Sequence, residues 1–94
     1  MDIIWLDPAL DDLYRVQAHI AEANPVAAKR VIQSVVKQVE HLAEQPHMGR
    51  SGRVIGTREL VLSDTPYIVP YRVKRNRVEV LRIFHGAQSW PDHL

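Results

Sequence analysis

The sequence predicts an α+β fold of order β-α-α-β-β-β, a helical hairpin packed on a mainly antiparallel sheet. Three observations predict it. Asp7-Pro8 and Asn24-Pro25 each combine a side-chain oxygen acceptor with a proline, the signature of a helix start. Apolar residues then recur at helical spacing in the first half of the chain. In the second half the pattern changes to alternation, broken by short polar turns.

Ile3 to Leu6, apolar with β-branched and aromatic bias, suits a first strand. Asp7 is expected to cap the first helix, whose stripe is Leu10, Leu13, Val16 and Ile20, with Asp11, Asp12, Arg15 and His19 between. Asn24-Pro25 ends that helix and opens another. Ala28, Val31, Ile32, Val35, Val39 and Leu42 share one face of the second helix, while Lys29, Arg30, Lys37 and Glu40 lie off it. Pro46 and Gly49 end it, and with almost no linker between them the two helices should form a hairpin.

Pro46 to Thr57, polar with three glycines and two arginines, reads as an exposed loop. Arg58 to Leu62 is a second strand, and Ser63 to Pro66 a turn. Tyr67, Val69, Tyr71 and Val73 give a third strand one continuous apolar face. Lys74-Arg75-Asn76 is a tight turn, and a fourth strand runs from Val78 to about His85. Pro70, in mid-strand, cannot donate to a ladder, so its nitrogen should face an unpaired side or a bulge.

Ninety-four residues leave room for one domain, 1–94. The absence of cysteine excludes disulfides and thiolate metal sites. His41 and His47 lack the spacing and the partners of a metal site and read as surface residues, so no metal and no cofactor is expected. No apolar stretch is long enough to span a bilayer, and the start lacks the pattern of a secretion signal, so a cytoplasmic protein is expected. Residues 1–49 carry four Lys or Arg against seven Asp or Glu, and residues 50–94 carry eight against four. The basic half can present a face to phosphates or to an acidic partner, or it can be a solvated surface.

Several segments resemble one known family. Gly56-Thr57-Arg58-Glu59-Leu60-Val61 is similar to the start of the second strand in RelE/ParE-type toxins of bacterial type II toxin–antitoxin systems. Tyr67-Ile68-Val69-Pro70-Tyr71-Arg72-Val73 resembles the family's tyrosine–apolar–tyrosine–arginine strand. Val80-Leu81-Arg82-Ile83-Phe84-His85-Gly86-Ala87-Gln88-Ser89-Trp90-Pro91 resembles its closing strand and His-Gly-Ala tail, and Pro46-His47-Met48-Gly49-Arg50 its post-hairpin loop. The resemblance covers nearly the whole chain in order.

It implies a compact toxin neutralised by a cognate antitoxin that wraps around it, with operator DNA contacted only through the antitoxin. Two activities occur in the family. RelE-like members cut messenger RNA in the ribosome; ParE-like members poison DNA gyrase and are not enzymes. RNA cleavage needs a base for the 2′-hydroxyl, cations for the phosphate and an acid for the leaving oxygen. This chain offers Arg58, Glu59, Arg72, Arg82 and His85. It departs from the RelE-like pattern at Ile68, where an arginine would stand, at Ala87 and Gln88 in place of a basic pair, and in lacking a C-terminal tyrosine near His85. The ParE-like reading therefore comes first, the ribonuclease second, and a non-toxic partner-binding member third.

Within the ribonuclease reading His85 is the candidate acid or base; otherwise it fixes a turn before Gly86. Arg58, Arg72 and Arg82 interrupt apolar strands and are expected to share one face that grips target or antitoxin; the alternative is a solvated face, or pairing with Glu59 and Glu79. Trp90 either caps the core or anchors a partner.

Overall fold

The computed structural model describes residues 1–94 and has the expected architecture: two helices on one side of a mixed, mostly antiparallel sheet. Its elements are β1 (Asp2–Trp5), α1 (Asp7–Ala23), α2 (Pro25–Glu40), a 3-10 turn (His41–Ala43), β2 (Arg50–Ser51), β3 (Arg58–Val61), β4 (Tyr67–Lys74), β5 (Arg77–Val80) and β6 (Phe84–His85). The strand order is β1-β5-β4-β3-β2, with β6 also on β4. Only β1 and β5 run parallel. No helix is long and apolar enough to cross a membrane.

The helix junction forms as its residues dictate. Asn24 accepts a hydrogen bond from the Ala27 amide at 3.0 Å, and Pro25 follows in the first turn. The start of α1 differs from expectation. Leu6 is the capping residue and makes no side-chain cap; Asp7 lies inside the first turn, where its charge complements the helix dipole. The α2 stripe reaches the core through Val35, Val39 and Leu42, all fully buried. From α1, Ala9 is fully buried and Leu13, Val16 and Ile20 pack at the margin of the core. Asp12, assigned to the polar side of that helix from its neighbours, is instead buried at 5% exposure.

Residues directly opposite in a ladder share a face. Leu60 faces Val69, Tyr71 faces Val80, Val73 faces Val78 and Ile3 faces Val78, so these form the surface under the helices. The Tyr71 hydroxyl donates to the Pro46 carbonyl at 2.8 Å and accepts from the Gly49 amide at 2.9 Å, tying the post-hairpin loop to the sheet. A Cβ on Gly49 would stand 2.6 Å from the Tyr71 ring, so that approach requires glycine. Burial of the phenol pushes its pKa up, against weaker opposing effects from the Gly49 hydrogen bond and from Arg58, which keeps it protonated as a donor.

Two strand expectations are corrected. Arg50–Ser51, read as loop, pairs with Arg58–Glu59 as a two-residue edge strand. The single fourth strand is two pieces. Between the pair Tyr71–Val80 and the pair Ile68–Phe84, Leu81, Arg82 and Ile83 oppose only Val69 and Pro70. This is a one-residue bulge, and Pro70 explains it. Its carbonyl accepts from Leu81 at 3.0 Å, and an extended residue aims its nitrogen toward the same neighbour. Having no N–H there, Pro70 leaves the ladder incomplete where the bulge falls.

Candidate functional site: an arginine face on the sheet

The face opposite the helices is set by the same alternation. Arg50 lies opposite Glu59 and Glu59 opposite Pro70; Arg72 lies opposite Glu79, and Lys74 opposite Arg77. Two carboxylates are buried in this face, Glu59 at 2% and Glu79 at 3% exposure. A buried carboxylate is costly unless it is paired and hydrogen-bonded, and both are. Glu59 Oε1 accepts from Arg50 Nε at 3.0 Å and Nη2 at 2.8 Å, a forked contact. Its Oε2 accepts from the Arg53 amide at 2.8 Å, with the Arg53 guanidinium 3.5 Å away. Glu79 accepts from Arg72 Nε at 2.5 Å and from Arg77 Nη2 at 2.8 Å. The Arg72 hydrogen bond is the largest influence on Glu79; it outweighs desolvation and, with Arg77, holds the carboxyl below the usual glutamate range.

Each carboxylate fixes one edge of its arginines while their side chains remain between 38% and 52% exposed. The solvent-facing result is a row of oriented guanidinium donors with Lys74 beside them and Asp2 at the β1 edge. Oriented forks of this kind suit carboxylate or phosphate groups on a macromolecule.

Arg58, Arg72 and Arg82, expected to share one face, do not. Arg58 lies opposite Tyr71, on the helix side, and donates to the carbonyls of His47 at 3.2 Å and Gly49 at 2.9 Å. Arg72 lies on the arginine face, paired with Glu79. Arg82 sits in the bulge, where a side chain leaves the regular alternation, and reaches α1. Its Nε and Nη2 donate to Asp12 at 2.7 and 3.1 Å, and Asp12 also accepts from the Ile83 amide at 2.9 Å. The Asp12 hydrogen bond raises the Arg82 pKa further, so the guanidinium of this clamp between helix and sheet stays charged.

Arg50, Arg53 and Arg77 are the members of the face that sequence reasoning missed. The available signal was a glutamate between apolar strand residues, Glu59 beside Leu60 and Glu79 between Val78 and Val80, each of which must meet cations on the other side of the sheet.

His85 ends β6 and is exposed. Its Nδ1 accepts from the Ala87 amide at 3.1 Å, its own amide donates to Gln88 at 2.7 Å, and its carbonyl accepts from the Gln88 amide at 3.1 Å. Its ring meets Tyr67 edge-on, with centroids 5.9 Å apart. Trp90 packs against Phe84 at 4.8 Å, and the Arg53 guanidinium lies 3.7 Å over its ring, so the tail is docked beside the arginine face. A groove of about 660 Å³ opens between the end of α2 and the edge of β3, with walls that include Gln38, His41, Met48, Leu60 and Val61.

Comparison with known proteins agrees with this architecture. Residues 3–90 match the family described as ParE toxin of type II toxin-antitoxin system, parDE. A protein of Sinorhizobium fredii named as toxin Y4kP is 47% identical over 92 residues, covering 98% of this chain and 95% of its own. Toxin RelE2 of Caulobacter vibrioides is 34% identical over 86 residues, covering 92% and 96%. A solved chain of the chromosomal ParDE system from P. aeruginosa superposes with a TM-score of 0.82 at 32% identity, covering 90% of this chain and 95% of that one. The chain is a member of the ParE/RelE family of toxins from type II toxin–antitoxin systems.

Proposed function

We propose that this toxin arrests growth by binding an essential target, DNA gyrase, in the manner of the ParE-like branch, and that the arginine face makes that contact. A cognate antitoxin, implied by membership of the family, neutralises it by occupying the groove beside β3 with an extended or helical tail. The observation that carries this reading is the dispersal of the cleavage candidates. Arg58 and Arg72 lie on opposite faces, Arg82 is engaged by Asp12, and His85 spends Nδ1 on the Ala87 amide. RNA cleavage would need such groups to converge on one phosphate. The arginine face supplies oriented charge for recognition, its carboxylates engaged by arginines.

The similarity to the protein named RelE2 favours a second reading, ribosome-dependent cleavage of messenger RNA, with exposed His85 as its acid or base. Purified toxin in a gyrase supercoiling assay and in a ribosome-bound mRNA cleavage assay separates the two. Inhibited supercoiling with intact message is expected. Cleaved message with unimpaired supercoiling would replace the first reading by the second, and no growth arrest on expression would favour a partner-binding member without toxicity.

A further inference from the structure

Between β2 and β3 the chain makes a small closed loop, Gly52–Thr57, at whose tip Ile55 is 100% exposed. A single exposed apolar residue is ordinary in itself. This one is held out by a pinned loop. The Gly52 amide donates to the Thr57 carbonyl at 2.9 Å, and the Thr57 amide and hydroxyl donate to the Val54 carbonyl at 3.1 and 2.6 Å. A Cβ on Gly52 would collide with the Thr57 hydroxyl, and Gly56 adopts a φ of +81°. At its base, Arg53 is fastened to Glu59 through its amide and to Trp90 through its guanidinium. The loop therefore presents Ile55 with little ordering left to be done on binding.

Its surroundings indicate what would receive it. Arg50 and Arg53 flank the loop and share a single carboxylate, Glu59, so the pair keeps an excess positive charge while both guanidinium groups stay about half exposed. The shape is convex. A disordered tail orders itself into grooves, such as the one beside β3, whereas a projecting side chain needs a pocket already formed on a folded surface.

We propose that the Gly52–Thr57 loop is a pre-formed apolar finger whose Ile55 enters an apolar cleft rimmed by carboxylates on the folded protein that the toxin inhibits. This rests on the binding reading above and adds the chemistry of the partner. The neighbouring arginines steer the approach and pair with the rim, and the isoleucine fills the cleft.

The test compares Ile55→Asp, Ile55→Ser and Ile55→Leu with the wild-type chain for unfolding midpoint, affinity for the cognate antitoxin, half-inhibitory concentration against gyrase supercoiling, and growth arrest. The unfolding midpoint is expected to stay at the wild-type value because the side chain is fully exposed, and antitoxin affinity because Ile55 does not line the groove beside β3. Ile55→Asp should raise the half-inhibitory concentration by about tenfold or more, and Ile55→Leu should stay within about twofold. Wild-type inhibition by Ile55→Asp overturns the finger and leaves the gyrase reading standing. Loss of antitoxin affinity in parallel with potency also overturns it, since the finger would then serve the antitoxin. If the wild-type chain arrests growth without affecting supercoiling, the gyrase reading alone fails: arrest abolished in Ile55→Asp then supports the finger, and arrest retained overturns it. A wild-type chain that does neither has no folded target and overturns it as well.

Discussion

Glu79 shows how one residue can shape a surface from beneath. Its carboxylate is almost fully covered, yet its partners Arg72 and Arg77 remain substantially exposed, so its effect on the outside is to aim them. Because the Arg72 hydrogen bond lowers its pKa in the folded chain, the ionised form stabilises the fold. That contribution is complete above the ordinary glutamate value of 4.5 and is lost as pH falls below it through the lowered folded value. Denaturant midpoints measured from pH 7 downward should therefore fall on the acid side, and Glu79→Gln should flatten that decline while lowering stability at pH 7. Identical acid limbs in both proteins would mean that the ion pairs contribute nothing to the fold. Arg72 was legible as a candidate from its place in an apolar strand; its partner Arg77 was not, because it follows a turn and reads there as ordinary surface charge.

At the scale of elements, most of the architecture was legible because local rules and tertiary packing agree. Asn24-Pro25 caps and starts α2 as its chemistry requires, and the alternation of Tyr67, Val69, Tyr71 and Val73 places all four on the helix side. The divergences arise where tertiary partners override local chemistry. Arg50–Ser51 is a strand only because Glu59 and Arg58 stand opposite it, a pairing across the Gly52–Thr57 loop that the glycines around it conceal. Asp12 is buried because Arg82, seventy residues away, sits in a bulge that reaches α1. The β4–β5 turn offers an element-scale prediction. Arg75 and Asn76 both have positive φ, 53° and 60°, between the paired residues Lys74 and Arg77, which is the geometry that Asn-Gly favours. Replacing Arg75-Asn76 by Asn-Gly should stabilise the protein by about 0.5–1 kcal/mol in chemical unfolding, since an arginine side chain disfavours that conformation. A loss of stability would show that Arg75 makes a contribution that its backbone angle conceals.

In the whole molecule, the sheet separates two jobs. One face is consumed by the helices and forms the core; the other keeps two carboxylates buried under four arginines and is extended by the Trp90 tail and the Ile55 loop. The basic bias of the second half of the sequence, with arginines interrupting apolar strands, was legible as a cationic face on the sheet. Its membership was not, because Arg58 and Arg82 are used internally, by the loop carbonyls and by Asp12. What separates a binder from a nuclease is which groups the target needs. The most direct measurement is the affinity of the purified toxin for gyrase, by calorimetric titration at two salt concentrations, for the wild type, Arg72→Gln/Arg77→Gln and His85→Ala. Salt-sensitive wild-type binding is expected, weakened about tenfold or more by the arginine pair and unchanged by His85→Ala. No binding by the wild type, or binding indifferent to both arginines, would contradict the account.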